Sequence, residues 1–534
     1  MKIVRSPRRF AAAAAAAATA TAVLLSGCSG AGTPAADSAP TPTATVGTAA
    51  APSPSPTPKP SGADDPALQP FYGQQIVWAA CADSPKTPKI DEAQFQCGKL
   101  RVPLDYEAPA ADAIEIALSR RQAARADQRV GSLVVNPGGP GGSGVGHLQH
   151  SALYREGVLR DRFDVVGFDP RGVGDSAPVR CLDDKAQDDW DSSDSRNGTR
   201  GSTLAGGCAA GAGKLLPHVG TRDVARDMDV LRAALGEPKL NYLGFSYGTY
   251  IGTRYAEQFP DRVGRVVLDG AVDPTTTVFD NTVLQTISFE KSLNAFAADC
   301  VERTGCSLGS DPAKAAGKLA AFLDGLKDKP LKTPSGRQLT AWSGWTGTMT
   351  ALYGDKDNWE YLRSAVAQAM KGNGSQLLAL ADSYYGREAD GSHGNGADAY
   401  AAIFCADPMA APPTEARFQA AKEQLHQQAP LITAHFADED LFDPDCRSWP
   451  YKPTEQLKPL GPTGSSPILV VGSTGDPATP YAWAEKLAGM LTNGTLLTRE
   501  GEGHTGYGKN ACTKDAVDAY LTTGQVPAKG TRCS

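Results

Sequence analysis

Short apolar runs recur along the chain, each closed by glycine, proline or a polar residue. They are Ser132–Asn136, Phe163–Asp169, Leu240–Phe245, Arg265–Asp269, Pro467–Gly472 and Gly494–Thr498. Runs this short and this continuously apolar fit strands buried on both faces of a parallel sheet. Helical spacing fills several of the gaps. Thr221 is expected to cap a helix over Arg222–Leu235, closed by Gly236-Glu-Pro238, and Tyr247–Gln258 and Tyr481–Leu491 read as further helices. Alternation of the two patterns predicts an α/β fold: a mainly parallel sheet with right-handed crossovers.

Between about Pro274 and Glu455 the alternation stops. This stretch carries Ala, Lys, Leu and Trp at helical spacing. It is expected to be a helical cap inserted over the carboxyl edge of the sheet, where it would shape access to a site. The sheet then divides into a first part, 67–274, and a C-terminal part, 456–534, around a cap at 275–455.

The N-terminus follows neither pattern. Lys2, Arg5, Arg8 and Arg9 precede an alanine-rich apolar run that ends in Leu25-Ser-Gly-Cys28. A basic start, a short apolar stretch and small residues describe an export signal rather than a membrane span. The Leu-Ser-Gly-Cys string resembles a bacterial lipobox, which would make Cys28 a lipidated N-terminus and residues 1–28 the leader. Arg8-Arg9-Phe10 faintly resembles a twin-arginine signal, so the export route stays open. Residues 29–66, rich in Ala, Thr, Pro and Ser, cannot bury enough apolar surface to fold and are expected to form a tether.

Composition narrows the class. The chain has 534 residues, 52 basic and 59 acidic, a net charge of −7. That balance argues against a nucleic-acid partner, which needs a basic face. There are 11 cysteines, an odd number. If lipid takes Cys28, those remaining are 81, 97, 181, 208, 300, 306, 405, 446, 512 and 533, an even set suited to disulfides in an oxidising compartment. Sequence does not fix the pairing; joining neighbours gives 81–97, 181–208, 300–306, 405–446 and 512–533. No C-x-x-C and no paired histidine spacing points to a metal site, and no Gly-Lys-Ser/Thr points to a nucleotide cofactor.

The chemistry gathers at three places. Gly244-Phe-Ser-Tyr-Gly248 is a G-x-S-x-G pattern, weak alone in a chain with 57 glycines. Its place, after an apolar strand and before a helix, is that of a nucleophile elbow, with Ser246 as nucleophile. Asp476 follows the fifth apolar run, where an acid could accept the ring N–H of a histidine; Thr479 is read as capping the next helix or holding the Asp476 loop. His504 follows the sixth run in a glycine-rich loop and is the candidate general base. His147, His150, His218, His393, His426 and His435 are read as surface or structural. An oxyanion hole needs two backbone N–H donors. Tyr247 is expected to supply one and the Gly138-Gly139-Pro140-Gly141 loop the other, with Gly139 favoured.

In these pieces the chain resembles the tripeptidyl aminopeptidase group of the prolyl-aminopeptidase-like serine peptidases, exported actinobacterial enzymes of the α/β-hydrolase fold. The likeness lies in Asn136-Pro-Gly-Gly-Pro-Gly-Gly-Ser-Gly144, Asp169-Pro-Arg-Gly-Val-Gly-Asp-Ser176, Gly244-Phe-Ser-Tyr-Gly-Thr-Tyr250, Leu268-Asp-Gly-Ala-Val-Asp-Pro274, Gly475-Asp-Pro-Ala-Thr-Pro480 and Gly503-His504. It implies release of short peptides from free N-termini, a helical cap, and an acid and base supplied by the C-terminal segment. Recognition of a free amine needs acidic side chains near the acyl site; Glu290 and Asp407 are candidates, each also readable as an ordinary structural carboxylate.

Two other readings stay open on the same residues. A carboxylesterase or lipase would turn over short acyl esters without needing an amine. A non-catalytic envelope lipoprotein would bind a ligand in a relic site and resist a fluorophosphonate. For either enzyme the expected location is the membrane face, through the lipid, or the cell wall, with release to the medium as the alternative.

Overall fold

The computed structural model describes residues 62–81, 94–192, 200–435, 445–453, 455 and 465–534. The expected leader, Cys28 and nearly all of the tether lie outside them. The strands are β1 (Ala79–Ala80), β2 (Gln96–Pro103), β3 (Ala113–Arg121), β4 (Gly131–Asn136), β5 (Phe163–Phe168), β6 (Leu240–Phe245), β7 (Val263–Asp269), β8 (Leu331–Lys332), β9 (Gln338–Leu339), β10 (Ile468–Gly475), β11 (Gly494–Glu502) and β12 (Arg532–Cys533). The helices that matter here are α1 (Gly144–His150), α2 (Thr221–Ala234), α3 (Tyr247–Gln258), α4 (Val278–Glu302), α5 (Pro312–Gly325), α6 (Ala341–Leu352), α7 (Trp359–Ala369), α8 (Ser375–Tyr385), α9 (Gly396–Ala406), α10 (Glu415–Gln428), α11 (Pro430–His435), α12 (Tyr481–Met490) and α13 (Ala511–Thr523).

Ten strands form one sheet in the order β1-β2-β3-β5-β4-β6-β7-β10-β11-β12. From β5 to β12 neighbouring strands run parallel. Strands β1, β2 and β3 join them antiparallel. This is the α/β-hydrolase arrangement. The central strands are apolar throughout because successive residues enter opposite cores. Val134, Tyr242, Val266, Leu268 and Val470 pack into one cluster, and Leu133, Val135, Leu243, Val267 and Val471 into the other.

The sheet differs from expectation at its start. Strands β2 and β3 are not among the continuous apolar runs. In β2, Leu100 and Val102 are buried while Lys99 and Arg101 are not, a period-two pattern that faces the core on one side only. The tether is also shorter than expected. Gly62 is buried, and a Cβ there would stand 3.3 Å from both the Phe259 ring and the Tyr72 hydroxyl. The folded body therefore reaches back at least to Gly62.

Helices α4 to α11 lie between β7 and β10. They carry a hydrophobic cluster around Phe296, Trp345 and Trp359, all fully buried. The described cysteines pair 81–97, 181–208, 300–306, 405–446 and 512–533, the neighbour pairing expected from the sequence. Among the described residues no helix is long and apolar enough to cross a membrane.

Candidate active site

Strand β4 has β5 on one side and β6 on the other, so the chain reverses its winding there and leaves a crevice at the carboxyl ends. Every candidate residue of the triad and oxyanion hole sits at such an end. The glycine loop follows β4, Ser246 follows β6, Asp476 follows β10 and His504 lies two residues past β11.

Ser246 joins β6 to α3 with φ +53°, a conformation that non-glycine residues rarely adopt. The turn is tight enough to demand its glycines. A Cβ on Gly244 would lie 2.6 Å from the Gly248 carbonyl oxygen, and one on Gly248 would lie 2.9 Å from that of Asn136. The residues on either side of Ser246 are buried, whereas Ser246 itself is partly open to solvent. Its amide donates to the Asp269 carbonyl at 2.9 Å, which ties the elbow to the end of β7.

His504 is fixed on its other side. Its Nδ1 lies 2.9 Å from both oxygens of Asp476. The same carboxylate accepts the amides of Ala478 at 2.9 Å, Thr479 at 2.8 Å and Thr505 at 3.0 Å, and the Thr479 hydroxyl at 3.0 Å. That hydroxyl also stands 3.2 Å from His504 Nδ1. Thr479 thus holds the acid and base rather than capping α12, whose cap position is Pro480. With Nδ1 facing the carboxylate, Nε2 is the ring nitrogen left for a substrate or nucleophile. Burial works against a proton on this ring, but the Asp476 carboxylate and its hydrogen bond outweigh that, with Asp269 adding to them. His504 therefore holds its proton more tightly than an ordinary histidine.

The two strand ends meet at Gly270: a Cβ there would stand 3.1 Å from His504 Cε1 and 3.0 Å from the Thr479 hydroxyl. Next to it Asp269, fully buried, accepts the amides of Gly506 at 2.8 Å and Tyr507 at 2.7 Å. Burial pushes this carboxyl up to about 6. Sequence reasoning gave Asp269 no role. Its signal was a charged residue closing an apolar strand, where only a hydrogen-bonded carboxylate is tolerated.

The glycine loop packs directly on the elbow. Gly138 has φ +89°, and a Cβ on it would lie 2.4 Å from the Phe245 carbonyl oxygen and 2.7 Å from the Tyr247 amide nitrogen. The Gly138 N–H donates to Asn136 Oδ1 at 2.8 Å, and the Gly142 N–H to the Gly138 carbonyl at 3.0 Å. Pro140 has no N–H. Tyr247 opens α3, where the first amides have no intrahelical acceptor.

The segment between β7 and β10 touches these parts. The His504 amide donates to the Tyr353 carbonyl at 2.9 Å, and the Tyr353 ring meets the imidazole edge-on at 5.4 Å. Glu290 accepts the amides of Leu431 at 3.2 Å and Ile432 at 3.0 Å, capping α11. Asp407 is buried and accepts the Thr221 amide at 2.8 Å, the Thr221 hydroxyl at 2.6 Å and the Tyr247 hydroxyl. This corrects the reading of Thr221 as an N-cap. Gly220 holds that position, and the Thr221 hydroxyl donates to Asp407 instead of capping the helix. Of the remaining histidines, His147 is half-buried, 2.8 Å from the Tyr154 hydroxyl, and loss of solvent pushes it down to about 4.

Residues 430–533 match the model of a family described as TAP-like protein. Over 486 residues the chain is 38% identical to Serine protease Hip1 of Mycobacterium tuberculosis, covering 87% of this chain and 92% of that protein. It is 37% identical over 494 residues to Carboxylesterase B of the same species, covering 89% and 92%. It is 32% identical over 481 residues to Tripeptidyl aminopeptidase of Streptomyces lividans, covering 86% of each. The chain belongs to the TAP-like family and is a serine hydrolase of the α/β-hydrolase fold.

Proposed function

We propose that the protein is an exported serine peptidase that releases short peptides, tripeptides in the first instance, from free N-termini. The observation that carries the chemistry is the His504–Asp476 pair, locked at 2.9 Å beside the elbow that presents Ser246. The Streptomyces relative supports the choice of substrate class. In this reading His504 Nε2 takes the Ser246 hydroxyl proton as Oγ attacks the scissile carbonyl carbon. The Gly139 and Tyr247 amides hold the oxyanion. His504 then gives that proton to the leaving amine, and a water, activated by the same ring, hydrolyses the acyl-enzyme. Gly138 is left out because Asn136 already holds its amide. Glu290 and Asp407 are left out of amine recognition because protein donors already occupy them. No metal or cofactor enters any step.

Export rests on the five disulfides together with the leader-like N-terminus. Lipidation of Cys28 and the division into leader, tether, core and cap belong to the same proposal.

The 37% identical carboxylesterase relative favours a second reading, an esterase using the same triad. One assay separates the two: kcat/KM on a free tripeptide anilide, on its N-acetylated form and on a short acyl ester. The peptidase reading expects cleavage of the free anilide and a loss of at least about 100-fold on acetylation, since a site built for an ammonium leaves its partner charge unpaired. Equal turnover of the two anilides, or of the ester alone, would reject the aminopeptidase and leave the esterase.

A further inference from the structure

One cap helix touches both halves of the proposed oxyanion hole, an inference that rests on the assignment of Gly139 and Tyr247 made above. At the amino end of α9, a Cβ on Gly141 would lie 2.4 Å from the Gly396 carbonyl oxygen and 3.0 Å from the Tyr400 amide nitrogen. The glycine loop that carries Gly139 therefore has α9 seated directly on it. In the body of the helix, the Phe404 ring packs edge-on against the Tyr247 ring with centroids 5.4 Å apart. Just past the carboxyl end, Asp407 takes the Tyr247 hydroxyl. The Cys405–Cys446 bridge staples that same end.

Asp407 is an expensive group to bury. An ionised carboxylate in an apolar interior is tolerated only when its lone pairs are used. Among the described residues its hydrogen-bond donors come from Thr221 and Tyr247, and the Thr221 hydroxyl stands 3.0 Å from that of Tyr247. Tyr247 is thus held at both ends, by the elbow at its backbone and by Asp407 at its hydroxyl. Its amide is one of the two donors that must meet an oxyanion, and such donors act only when they are already aimed.

We propose that Asp407 is a positioning residue: through the Tyr247 hydroxyl, Asp407 and helix α9 set the spacing of the two oxyanion donors. The cap then contributes to the chemical step as well as to substrate access. Asp407 itself touches no reacting atom.

The test uses Asp407→Asn and Tyr247→Phe in the full chain. Both keep every backbone amide; the first replaces an acceptor oxygen by a donor, the second removes the hydroxyl. p-Nitrophenyl acetate is the substrate, because its oxyanion needs the same donors whether the natural substrate is a peptide or an ester. Each variant is expected to lose about tenfold in kcat with KM within about twofold, less than the loss for deleting a donor outright. Affinity for a boronic acid, which forms a tetrahedral adduct on the serine, is expected to fall by a similar factor. The double variant should lose no more than the worse single one, since both break one contact. Unchanged kcat and boronate affinity with a lowered Tm would make Asp407 merely structural and overturn the proposal, as would a loss carried by KM alone. If Asp407→Asn does not fold, Tyr247→Phe decides by the same criteria. Ser246→Ala separates the levels: an active Ser246→Ala enzyme removes the site assignment itself, whereas an inactive one beside fully active Asp407 and Tyr247 variants removes only this inference.

Discussion

Ser246→Ala is expected to lower kcat by about 10⁶-fold, the scale seen when a serine hydrolase loses its nucleophile. The prediction is clean because the substitution removes one oxygen and nothing else. Alanine has the Cβ that serine already carries at φ +53°, so it adds no backbone strain. The elbow is held by the Ser246 amide on the Asp269 carbonyl at 2.9 Å, not by the hydroxyl. Tm should stay within a degree or so of the parent, and KM for a slow substrate should move little. Retention of a tenth of parental kcat, with purity checked by active-site titration, would mean that another group attacks.

Asp476→Asn carries the second large effect and shows it twice. A carboxamide keeps the shape but presents its NH2 group or a neutral oxygen to His504 Nδ1, so the tautomer with Nε2 free as base is no longer enforced. A loss of about 10⁴-fold in kcat is expected on that ground. The pH profile gives the sign. A general base must be neutral, so kcat/KM falls as pH drops through the His504 pKa. Because Asp476 raises that pKa above the ordinary 6.5, the acid limb of the parent enzyme should lie above 6.5. With Asp476 neutralised, burial becomes the dominant influence and pushes the ring down, so the limb should move to lower pH while the plateau collapses. A kcat/KM limb that stays in place in Asp476→Asn would show that His504 is not the group titrating.

The fold was legible where the physics leaves a one-dimensional mark. Strands β4, β5, β6, β7, β10 and β11 are buried on both faces, so their apolar runs stand out from the polar turns around them. Strands β2 and β3 carry no continuous apolar run, because burial on one face leaves polar residues such as Lys99 and Arg101 between the buried ones. The helices between β7 and β10 left only a loss of alternation, which gives a class and not a packing arrangement.

The site follows the same division. Ser246 and its flanking glycines are legible because the elbow's sterics dictate residue types at fixed spacing. Asp476 and His504 stand out because each closely follows a strand with an apolar run. The roles of Asp269, Tyr353 and Thr221 were not, since each depends on a partner far along the chain: Asp269 on Gly506 and Tyr507, Tyr353 on His504, and Thr221 on Asp407. Long-range pairs of that kind leave no periodicity. Asp407 reads from sequence either as a partner for a substrate amine or as a structural carboxylate; in the structure it holds two hydroxyls and the start of a helix.

The measurement that bears most directly on this account is mass-spectrometric mapping of a fluorophosphonate adduct on the full chain. One adduct is predicted, on the peptide bearing Ser246, forming quickly in the parent, slowly in Asp476→Asn and not at all in Ser246→Ala. An adduct on any other residue, or none from an enzyme that still turns over substrate, would contradict it.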